Sequence, residues 1–325
     1  MGQLERRQFL LAASGIIAAP RIALAQKRSV RIGLLSPRRR SVIQQPVLKR
    51  LAERGFVEGK NLVVEYRSAD GVVERLPRLA RELIEAKCDL IFAAGTVHAA
   101  RALIDAKSAI PIVFVAIDYD PVRAGIVSDL RRPGGNVTGI HLSTPALVAK
   151  RVELLRELLP RARRYFVFTD RFTKEQLDSA QRAAEQLRVE IIPAVLEKPP
   201  YDFDSAFEHG RKAEVDVLLL LTSPAFFDRR ETIYELAMKH RLPVSVGSSA
   251  WWSGVGWLVG YGVIADKSYS RAGDIAASIL EGKNPGEIPV EQPTEFEFGI
   301  NLKTAKALGI TIPQAILVRA DRVIE

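Results

Sequence analysis

The stretch LIFAAGTVH at residues 90–98 decides the fold, because it joins a buried strand to a helix. Leu90–Ala94 is apolar throughout, which is typical of a strand covered on both faces of a parallel sheet. Thr96 then stands at a helix-capping position, and a stretch with helical periodicity follows near residues 97–107. A covered strand that leads directly into a helix predicts the repeating unit of an α/β protein.

The same alternation extends on both sides of that unit. We expect further strands at 30–35, 62–66, 112–115 and 137–140, and further helices near 45–54, 74–86 and 121–130. Strands that are nearly all apolar and are separated by helices favour a parallel sheet with helices on both faces.

A second series of the same kind begins at Thr144-Pro145, where a capping residue precedes a proline at the first helical position. Thr173 and Gln176 predict a capping box, with Phe172 and Leu177 as its hydrophobic staple. We expect strands at 165–169, 189–195, 215–221 and 257–261, and helices near 203–212 and 226–240. The chain therefore contains two α/β units of similar size.

The tail of the chain departs from this order. A helix pattern at 267–281 is followed by a strand at 295–300 and a short helix at 302–308. One more helix and strand after two complete series indicates that the chain crosses back between the two units.

Composition excludes several classes of protein. The chain has 325 residues, 47% of them hydrophobic, which excludes a disordered chain and allows about two domains. Its single cysteine cannot by itself form an intramolecular disulfide, a cysteine-rich zinc site or an iron–sulfur cluster. The net charge of +9 suggests an acidic partner, but the basic residues are dispersed over several loops. We therefore expect no nucleic-acid partner.

Residues 1–25 are predicted to be a signal peptide. Arg6-Arg7 precede an apolar stretch, Ala23-Leu24-Ala25 provides a cleavage signature, and the arginine pair fits a twin-arginine signal. Cleavage near Ala25 removes three arginines and one glutamate, which lowers the net charge from +9 to +7. Because the only cysteine is Cys88, we expect a periplasmic protein without a lipid anchor.

Candidate ligand-binding residues follow the strands, because ligands of open parallel sheets bind outside the carboxyl ends of the strands. They are hydroxyls, carboxylates and aromatic groups, together with the helix start after Thr96, which attracts a carboxylate. Such a set suits a small zwitterion. We expect the ligand to contact Ser36, Thr96, Asp118, Tyr119, Asp120, Thr169, Asp170, Ser223, Ser248, Trp252 and Tyr261.

Two groups among these candidates have alternative interpretations. Asp118 and Asp120 could form an acid–base pair, although neighbours on one loop are more often one ligand contact and one turn-forming carboxylate. Trp251, Trp252 and Trp257 either pack as hinge or core residues or form a wall for the ligand.

The sequence offers no motif for catalysis, for a cofactor or for a metal. No Gly-x-Gly-x-x-Gly run follows a strand, and no phosphate-binding loop occurs. His98 and His141 lie near strand ends and could line a cleft, but the histidines lack metal-ligand spacing. Cys88 is expected to be a buried, inert thiol, and Arg38-Arg39-Arg40 a solvated loop. We therefore expect a protein that is not an enzyme and has no cofactor.

Several motifs together resemble one family. They are Glu58–Arg67, Glu74-Arg75-Leu76-Pro77, Gly95-Thr96, Asp120-Pro121-Val122, Arg132–Gly139, Ile288–Glu297, Asn301–Gly309 and Arg319-Ala320-Asp321. With these motifs the sequence is similar to the ABC-transporter substrate-binding proteins that include tryptophan- and tyrosine-binding members. The resemblance covers nearly all of the chain after the signal peptide.

The resemblance implies an α/β fold of the type I periplasmic-binding kind, with two doubly wound parallel-sheet lobes joined by three hinge crossings. Lobe 1 is expected at 29–141 plus 263–285, and lobe 2 at 142–262 plus 286–325. The resemblance also implies hinge closure on a small solute, and delivery to an inner-membrane permease with a separate ATPase. We expect a monomer. Contacts carried over by position are Ser36, Thr96, Asp118 or Asp120, Thr169, Ser223 and Ser248.

This chain departs from its relatives at the expected mouth of the cleft. Many relatives have Gly-Asp-Pro where Asp118-Tyr119-Asp120-Pro121 stands here, and often Glu-Ala-Gly-Gly where Gly254-Val255-Gly256-Trp257 stands. The identity of the ligand is therefore not transferred from them.

Our leading hypothesis is an extracytoplasmic receptor for an ABC importer. Thr96 would hold a carboxylate of an amino-acid-like solute, Asp118 or Asp120 its amino group, and Tyr119 or the tryptophans its side chain. The alternative is an extracytoplasmic sensing module that presents its ligand to a receptor.

Two other classes of protein are disfavoured. An exported hydrolase would need a nucleophile–base–acid set that we do not find. A transcription-factor core is disfavoured, because a signal peptide stands where a DNA-binding headpiece would be expected.

Overall fold

Two β-sheets, each covered by helices on both faces, organise the chain. The structure is a computed structural model, and it describes residues 29–38, 44–117, 119–197, 199–247 and 255–325. Each sheet with its helices forms one lobe of an α/β protein. Within the described part of the chain, the backbone passes between the lobes three times.

Lobe 1 is built on a sheet of five parallel strands in the order β2-β1-β3-β4-β5. The strands are β1 (Val30–Ser36), β2 (Leu62–Ser68), β3 (Leu90–Gly95), β4 (Ile112–Ala116) and β5 (Val137–His141). The helices are α1 (Gln44–Glu53), α2 (Leu76–Glu85), α3 (Val97–Asp105) and, from late in the chain, α9 (Ala265–Leu280).

Lobe 2 is built on a sheet of seven strands in the order β12-β11-β10-β9-β8-β6-β7, in which only β10 and β11 pair antiparallel. The strands are β6 (Arg164–Thr169), β7 (Glu190–Val195), β8 (Val217–Leu219), β9 (Val244–Val246), β10 (Val259–Val263), β11 (Phe296–Asn301) and β12 (Arg322–Ile324). The helices are α4 (Thr144–Leu158), α5 (Lys174–Leu187), α6 (Phe203–Lys212), α7 (Pro224–Asp228), α8 (Arg230–Lys239), α10 (Leu302–Leu308) and α11 (Gln314–Leu317).

Apolar cores lie on both faces of each sheet. Along β3, Phe92 faces the core that α1 and α9 cover, whereas Ile91 faces the core of α2 and α3. In lobe 2, Val167 packs with α4 and α5, and Phe166 packs with α6 and α8. Because successive side chains of a strand point to opposite faces, nearly continuous apolar runs are what these positions require.

Hydrogen bonds tie the crossings between the lobes together. Gln292, on the third crossing, donates from Nε2 to Ser143 Oγ at 2.9 Å and lies 3.3 Å from His141 Nδ1. The N–H of His141 donates to the carbonyl of Glu291 at 2.8 Å. The Glu291 carboxylate accepts two bonds of 2.7 Å from Arg271, in the first half of the nearby α9. The third crossing is therefore held both to the first crossing and to lobe 1.

Residues 286–291 contact lobe 1 rather than lobe 2. Val290 lies in the core of α2 and α3, and its N–H donates to the carbonyl of Leu130 at 2.7 Å. The carbonyl of Gly286 accepts a bond of 3.1 Å from the N–H of Gly134. We therefore propose that lobe 1 continues to Glu291, beyond the boundary at 285 expected from the sequence.

The helix expected near 121–130 is wrong, because these residues form turns. Gly125 has a φ of 64°, which a right-handed helix does not allow. The sequence also did not predict β9 and β12, since neither of these three-residue strands lies in a longer apolar run like the one that predicted β8.

The capping box expected at Thr173 does not form, although α5 begins there. The Thr173 hydroxyl lies 3.0 Å from Thr169 Oγ1 rather than on the helix start. The Gln176 side chain instead makes two hydrogen bonds of 2.8 Å with the backbone of Thr222. It donates to the Thr222 carbonyl and accepts from the Thr222 N–H. A local motif has been replaced by a contact between α5 and the end of β8.

Gly139 in β5 is expected to tolerate no side chain, because an added Cβ would lie 2.1 Å from the carbonyl oxygen of Phe114 in β4. We expect Gly139→Ala to lower the free energy of unfolding by at least about 3 kcal/mol, measured by urea unfolding. Gly135→Ala is the control: its φ is 62° and nothing lies within 4 Å of its Cβ, so the expected cost is about 1–2 kcal/mol. Equal losses at the two positions would contradict this account.

Candidate functional site

The carboxyl ends of the two sheets face each other across the space between the lobes. Arg38, which follows β1 of lobe 1, reaches Asp228 at the end of α7 in lobe 2. Arg171, which follows β6 of lobe 2, reaches Glu74 of lobe 1. Because both contacts start beyond a strand's carboxyl end, the interlobe cleft lies where open parallel sheets bind their ligands.

Each lobe places a point of strand-order reversal at this cleft. In lobe 1 the order reverses between β1 and β3, whose ends carry Ser36 and Thr96. In lobe 2 it reverses between β6 and β8, which lead to Thr169 and Ser223. Crevices at such reversals are the usual ligand sites of open α/β sheets. Four of the expected ligand contacts are therefore brought to one cleft.

Thr96 presents a hydroxyl without a partner at the start of α3. Its side chain is 2% exposed, and Oγ1 has no hydrogen-bond partner among the residues that the structure describes. Thr96 is the N-cap residue and has an extended backbone, but its side chain does not cap the helix. A buried hydroxyl beside the first N–H groups of a helix is well placed to bind a carboxylate or another acceptor.

Ser36 anchors an arginine that bridges the lobes. Ser36 Oγ accepts a bond of 3.1 Å from the N–H of Arg38, and the hydroxyl of Tyr66 donates to the Arg38 carbonyl at 2.7 Å. The guanidinium then donates to Asp228 Oδ1 at 2.8 Å and lies 4.4 Å from the ring centre of Phe227. Since its side chain is only 15% exposed, the expectation of a solvated loop is wrong for Arg38.

A second set of contacts joins the lobes beside α3. Arg171 pairs with Glu74 at 3.1 Å, and Phe172 meets His98 edge-on with ring centres 5.9 Å apart. Phe172 packs on the core of lobe 1 while Leu177 packs in lobe 2, so the expected hydrophobic staple does not form. Burial, assisted by Arg171, lowers the pKa of His98, and its ring is therefore neutral at pH 7.

In the loop after β4, Asp120 and Tyr119 make contacts within lobe 1. Asp120 Oδ1 accepts bonds from the N–H groups of Val122 at 2.9 Å and Arg123 at 3.1 Å, which favours the interpretation of a turn-forming carboxylate. Tyr119 is 4% exposed and packs in the lobe 1 core, with its ring centre 6.3 Å from that of Phe114. The structure therefore does not favour Tyr119 as a ligand contact.

Asp170 organises the lobe 2 wall. Its Oδ2 accepts hydrogen bonds from the hydroxyls of Ser223 and Tyr201, and its Oδ1 accepts a bond of 2.9 Å from the N–H of Phe172. Burial raises the pKa of the carboxyl, although these hydrogen bonds act in the opposite direction. Thr169 is likewise engaged, by the hydroxyl of Thr173. The expected contacts of this wall are thus brought together, but they are partnered with protein groups.

Tyr261 has a packing role in the structure. Its ring lies 6.1 Å from that of Phe296 and 6.4 Å from that of Phe298, in the core beside α4. Trp257 is fully buried against Tyr234, which agrees with the core interpretation of that tryptophan. Asp118, Ser248 and Trp252 lie outside the described residues.

Arg151 lies below the cleft in lobe 2 and was not predicted as a site residue. Its Nη2 donates to the carbonyl of Leu220 at 3.0 Å, while Nε and Nη1 have no partner within the described ranges. Burial lowers the pKa of Arg151 to about 9. The signal that could have found it is its place in the apolar stripe of α4, three residues after Val148 and four before Leu155.

In the described ranges, no three histidines, cysteines, aspartates or glutamates are grouped to hold a metal ion. Cys88 is buried as expected, and burial raises the pKa of its thiol to about 11. None of the helices in this part of the chain has the length and apolar character needed to cross a membrane.

Comparison with known proteins agrees with the fold. Residues 34–324 match the family model described as ABC transporter substrate binding protein. The Tyrosine-binding protein of Clostridioides difficile (strain R20291) is 30% identical over 266 residues, which are 81% of this chain and 75% of that protein. A conserved domain protein from Vibrio cholerae O1 biovar El Tor is 28% identical, with a TM-score of 0.83 over 91% of this chain and all of that one. The ABC domain from Streptococcus pneumoniae, solved in complex with L-Trp, is 24% identical, with a TM-score of 0.81 and coverage of 91% and 100%.

The fold is thus that of a type I periplasmic-binding protein, with two α/β lobes around a cleft. The chain belongs to the family of ABC transporter substrate-binding proteins. Both expectations from the sequence motifs are confirmed.

Asp170→Ala is expected to destabilise the protein by about 2–4 kcal/mol, because it leaves the donors of Ser223, Tyr201 and Phe172 without their acceptor. Asp170→Asn keeps an acceptor at the same place and is expected to cost clearly less. Urea unfolding at pH 7 measures both losses. Equal losses for the two variants would show that the three hydrogen bonds contribute little.

The pH dependence of stability provides a second test at Asp170. Its raised pKa means that the folded protein holds this proton more tightly than the unfolded chain, whose aspartates have a pKa of about 3.9. Relative to Asp170→Asn, the wild type should therefore lose stability as the pH rises from the unfolded pKa to the folded one. Parallel curves for the two proteins would contradict the raised pKa.

Arg38→Ala is expected to shift the lobes toward an open arrangement, because it removes the contacts with Asp228 and Phe227. We expect the closed arrangement to lose about 1–2 kcal/mol of stability relative to the open one. The distance between spin labels at the exposed Val72 and Glu235 measures the resulting shift toward the open arrangement. Arg171→Ala is the control, since its pair with Glu74 is 43% and 70% exposed and should contribute little. An equal shift from both variants would contradict a special role for Arg38.

Proposed function

We propose that the protein is an extracytoplasmic solute receptor of an ABC importer, which binds a small amino-acid-like or carboxylate-bearing solute in the interlobe cleft. The observation that carries the proposal is the buried, unpartnered hydroxyl of Thr96 at the reversal point of the lobe 1 sheet. A carboxylate of the ligand would accept a hydrogen bond from this hydroxyl and lie at the positive end of α3.

Two relatives support an amino-acid-like ligand. One is named Tyrosine-binding protein, and another was solved in complex with L-Trp. For the amino group of such a ligand we favour Asp118 over Asp120, because Asp120 Oδ1 already accepts two backbone N–H groups of its turn.

Closure of the lobes on the solute supplies the mechanism. The ties at Gln292 let the crossings act as one hinge, and the Arg38–Asp228 contact stabilises the closed arrangement at the mouth. A permease that contacts both lobes would then distinguish the closed, loaded receptor from the open one, since only closure sets the relative position of the lobes. Delivery to such a permease, with its ATPase, completes the proposed role.

Export and oligomeric state are part of the same proposal. The predicted signal peptide at 1–25 lies outside the described residues, and its cleavage near Ala25 would release a periplasmic protein without a lipid anchor. We propose that the receptor works as a monomer and has no enzymatic activity.

Thermal-shift screening of the purified protein against amino acids and related carboxylic acids tests the proposal, with calorimetry on the hits. At least one solute should raise the unfolding temperature, because a ligand that binds only the folded state stabilises it.

Thr96→Val should then lower the affinity about tenfold without destabilising the ligand-free protein, since the lost hydroxyl has no partner among the described protein groups. Thr311→Val, at an exposed threonine, is the control and should change neither quantity. Turnover of a substrate in the absence of any stabilising solute would overturn the proposal.

A further inference from the structure

Arg151 in α4 is a buried cation with no carboxylate partner among the described residues. The residue is 1% exposed, and within this part of the chain it makes one hydrogen bond, to the carbonyl of Leu220. Nε and Nη1 have no partner in the described part of the chain, and the segment 248–254 contains no acidic residue. Arginines are rarely buried unless they are paired. A role other than stability is therefore needed to explain this one.

The guanidinium lies at the carboxyl edge of the lobe 2 sheet. Leu220 directly follows β8, and Gly247 directly follows β9. A Cβ on Gly247 would lie 3.1 Å from Arg151 Nη1 and 2.9 Å from the hydroxyl of Thr222, so both groups converge on this glycine. Side chains of a helix lean toward its N-terminus, which for α4 is the end next to the crossing. Arg151 thus stands directly behind the cleft wall formed by Thr222 and Gly247.

The charge of Arg151 acts on that wall. With a pKa lowered to about 9, the guanidinium remains protonated at neutral pH. The buried carboxylate of the same lobe, Asp170, is already engaged by Ser223 and Tyr201. Because buried charges are screened much less than exposed ones, the positive potential reaches an anion in the cleft even through one layer of atoms.

We infer that Arg151 makes the Thr222–Gly247 wall an anion-recognising surface, and that the ligand is an organic acid with more carboxylates than ammonium groups. This inference rests on the proposed function and narrows its ligand class. A carboxylate facing lobe 2 would provide the counter-ion that the described protein groups do not supply. A second acceptor of the same ligand would reach Thr96 in lobe 1.

Matched ligands test the inference by calorimetry at pH 7.5. The aromatic pair is L-tyrosine and 3-(4-hydroxyphenyl)propanoate, which lacks the ammonium group; the aliphatic pair is L-glutamine and L-glutamate, which adds a carboxylate. We expect the more anionic member of at least one pair to bind more tightly. If the preference appears in the aromatic pair, the excess negative charge of the ligand comes from a missing ammonium group. If it appears in the aliphatic pair, the excess negative charge comes from an extra carboxylate.

Variants of Arg151 separate recognition from structure. Arg151→Met should weaken binding of the preferred acid about ten- to a hundredfold, and should leave the unfolding temperature of the ligand-free protein unchanged or raised, because it removes an uncompensated buried charge. Arg151→Lys keeps the charge and should retain part of the affinity. Lys150→Met, on the exposed side of the same helix, controls for net charge and should have no effect.

Each contrary result has a distinct meaning. Equal binding within both pairs, or full affinity in Arg151→Met, would overturn the inference while leaving the solute receptor intact. A marked loss of stability or of folding in Arg151→Met would assign the guanidinium a structural role and overturn it as well. If no small solute binds the wild type at all, the proposed function itself fails.

Discussion

The cleft depends on the hydrogen bonds that tie the chain crossings to one another. Gln292 on the third crossing holds Ser143 on the first, and the bond from His141 to Glu291 continues the contact into lobe 1. Because the strands run parallel within each sheet, apart from β11 and β12, their carboxyl ends meet across one gap. The reversal points of both sheets then face the same space.

The polar groups around the cleft are of two kinds. On the lobe 2 wall, Asp170 accepts three hydrogen bonds and is part of the framework. Thr96 and Arg151, by contrast, keep donors that no described protein group accepts. Buried polar groups are nearly always paired in folded proteins, and leaving them unpaired costs stability. Thr96 in lobe 1 and Arg151 behind the lobe 2 wall depart from this rule.

Local patterns predicted most of the fold and the placement of part of the candidate site. The apolar runs of β1, β3 and β6 and the helices between them follow from periodicity, and Ser36 and Thr96 stand at the ends of β1 and β3, where the sequence placed strand ends. The same rules failed where a side chain found a distant partner. Gln176, expected in a capping box, instead binds the backbone of Thr222, 46 residues away. For Asp120 the sequence left a catalytic acid, a ligand contact and a turn former open, and its bonds to the N–H groups of Val122 and Arg123 favour the last.

The sequence by itself determined the two α/β units, the crossing back of the tail and the family, because helices, strands and caps depend on neighbours a few residues away. Only the tertiary structure decided which polar groups remain available to a ligand. Arg38 meets Asp228 across 190 residues of chain, Ser223 meets Asp170 across 53, and Arg151 meets a carbonyl 69 residues away. Such partners are set by sheet order and by the closeness of the lobes, and no local pattern in the sequence records them.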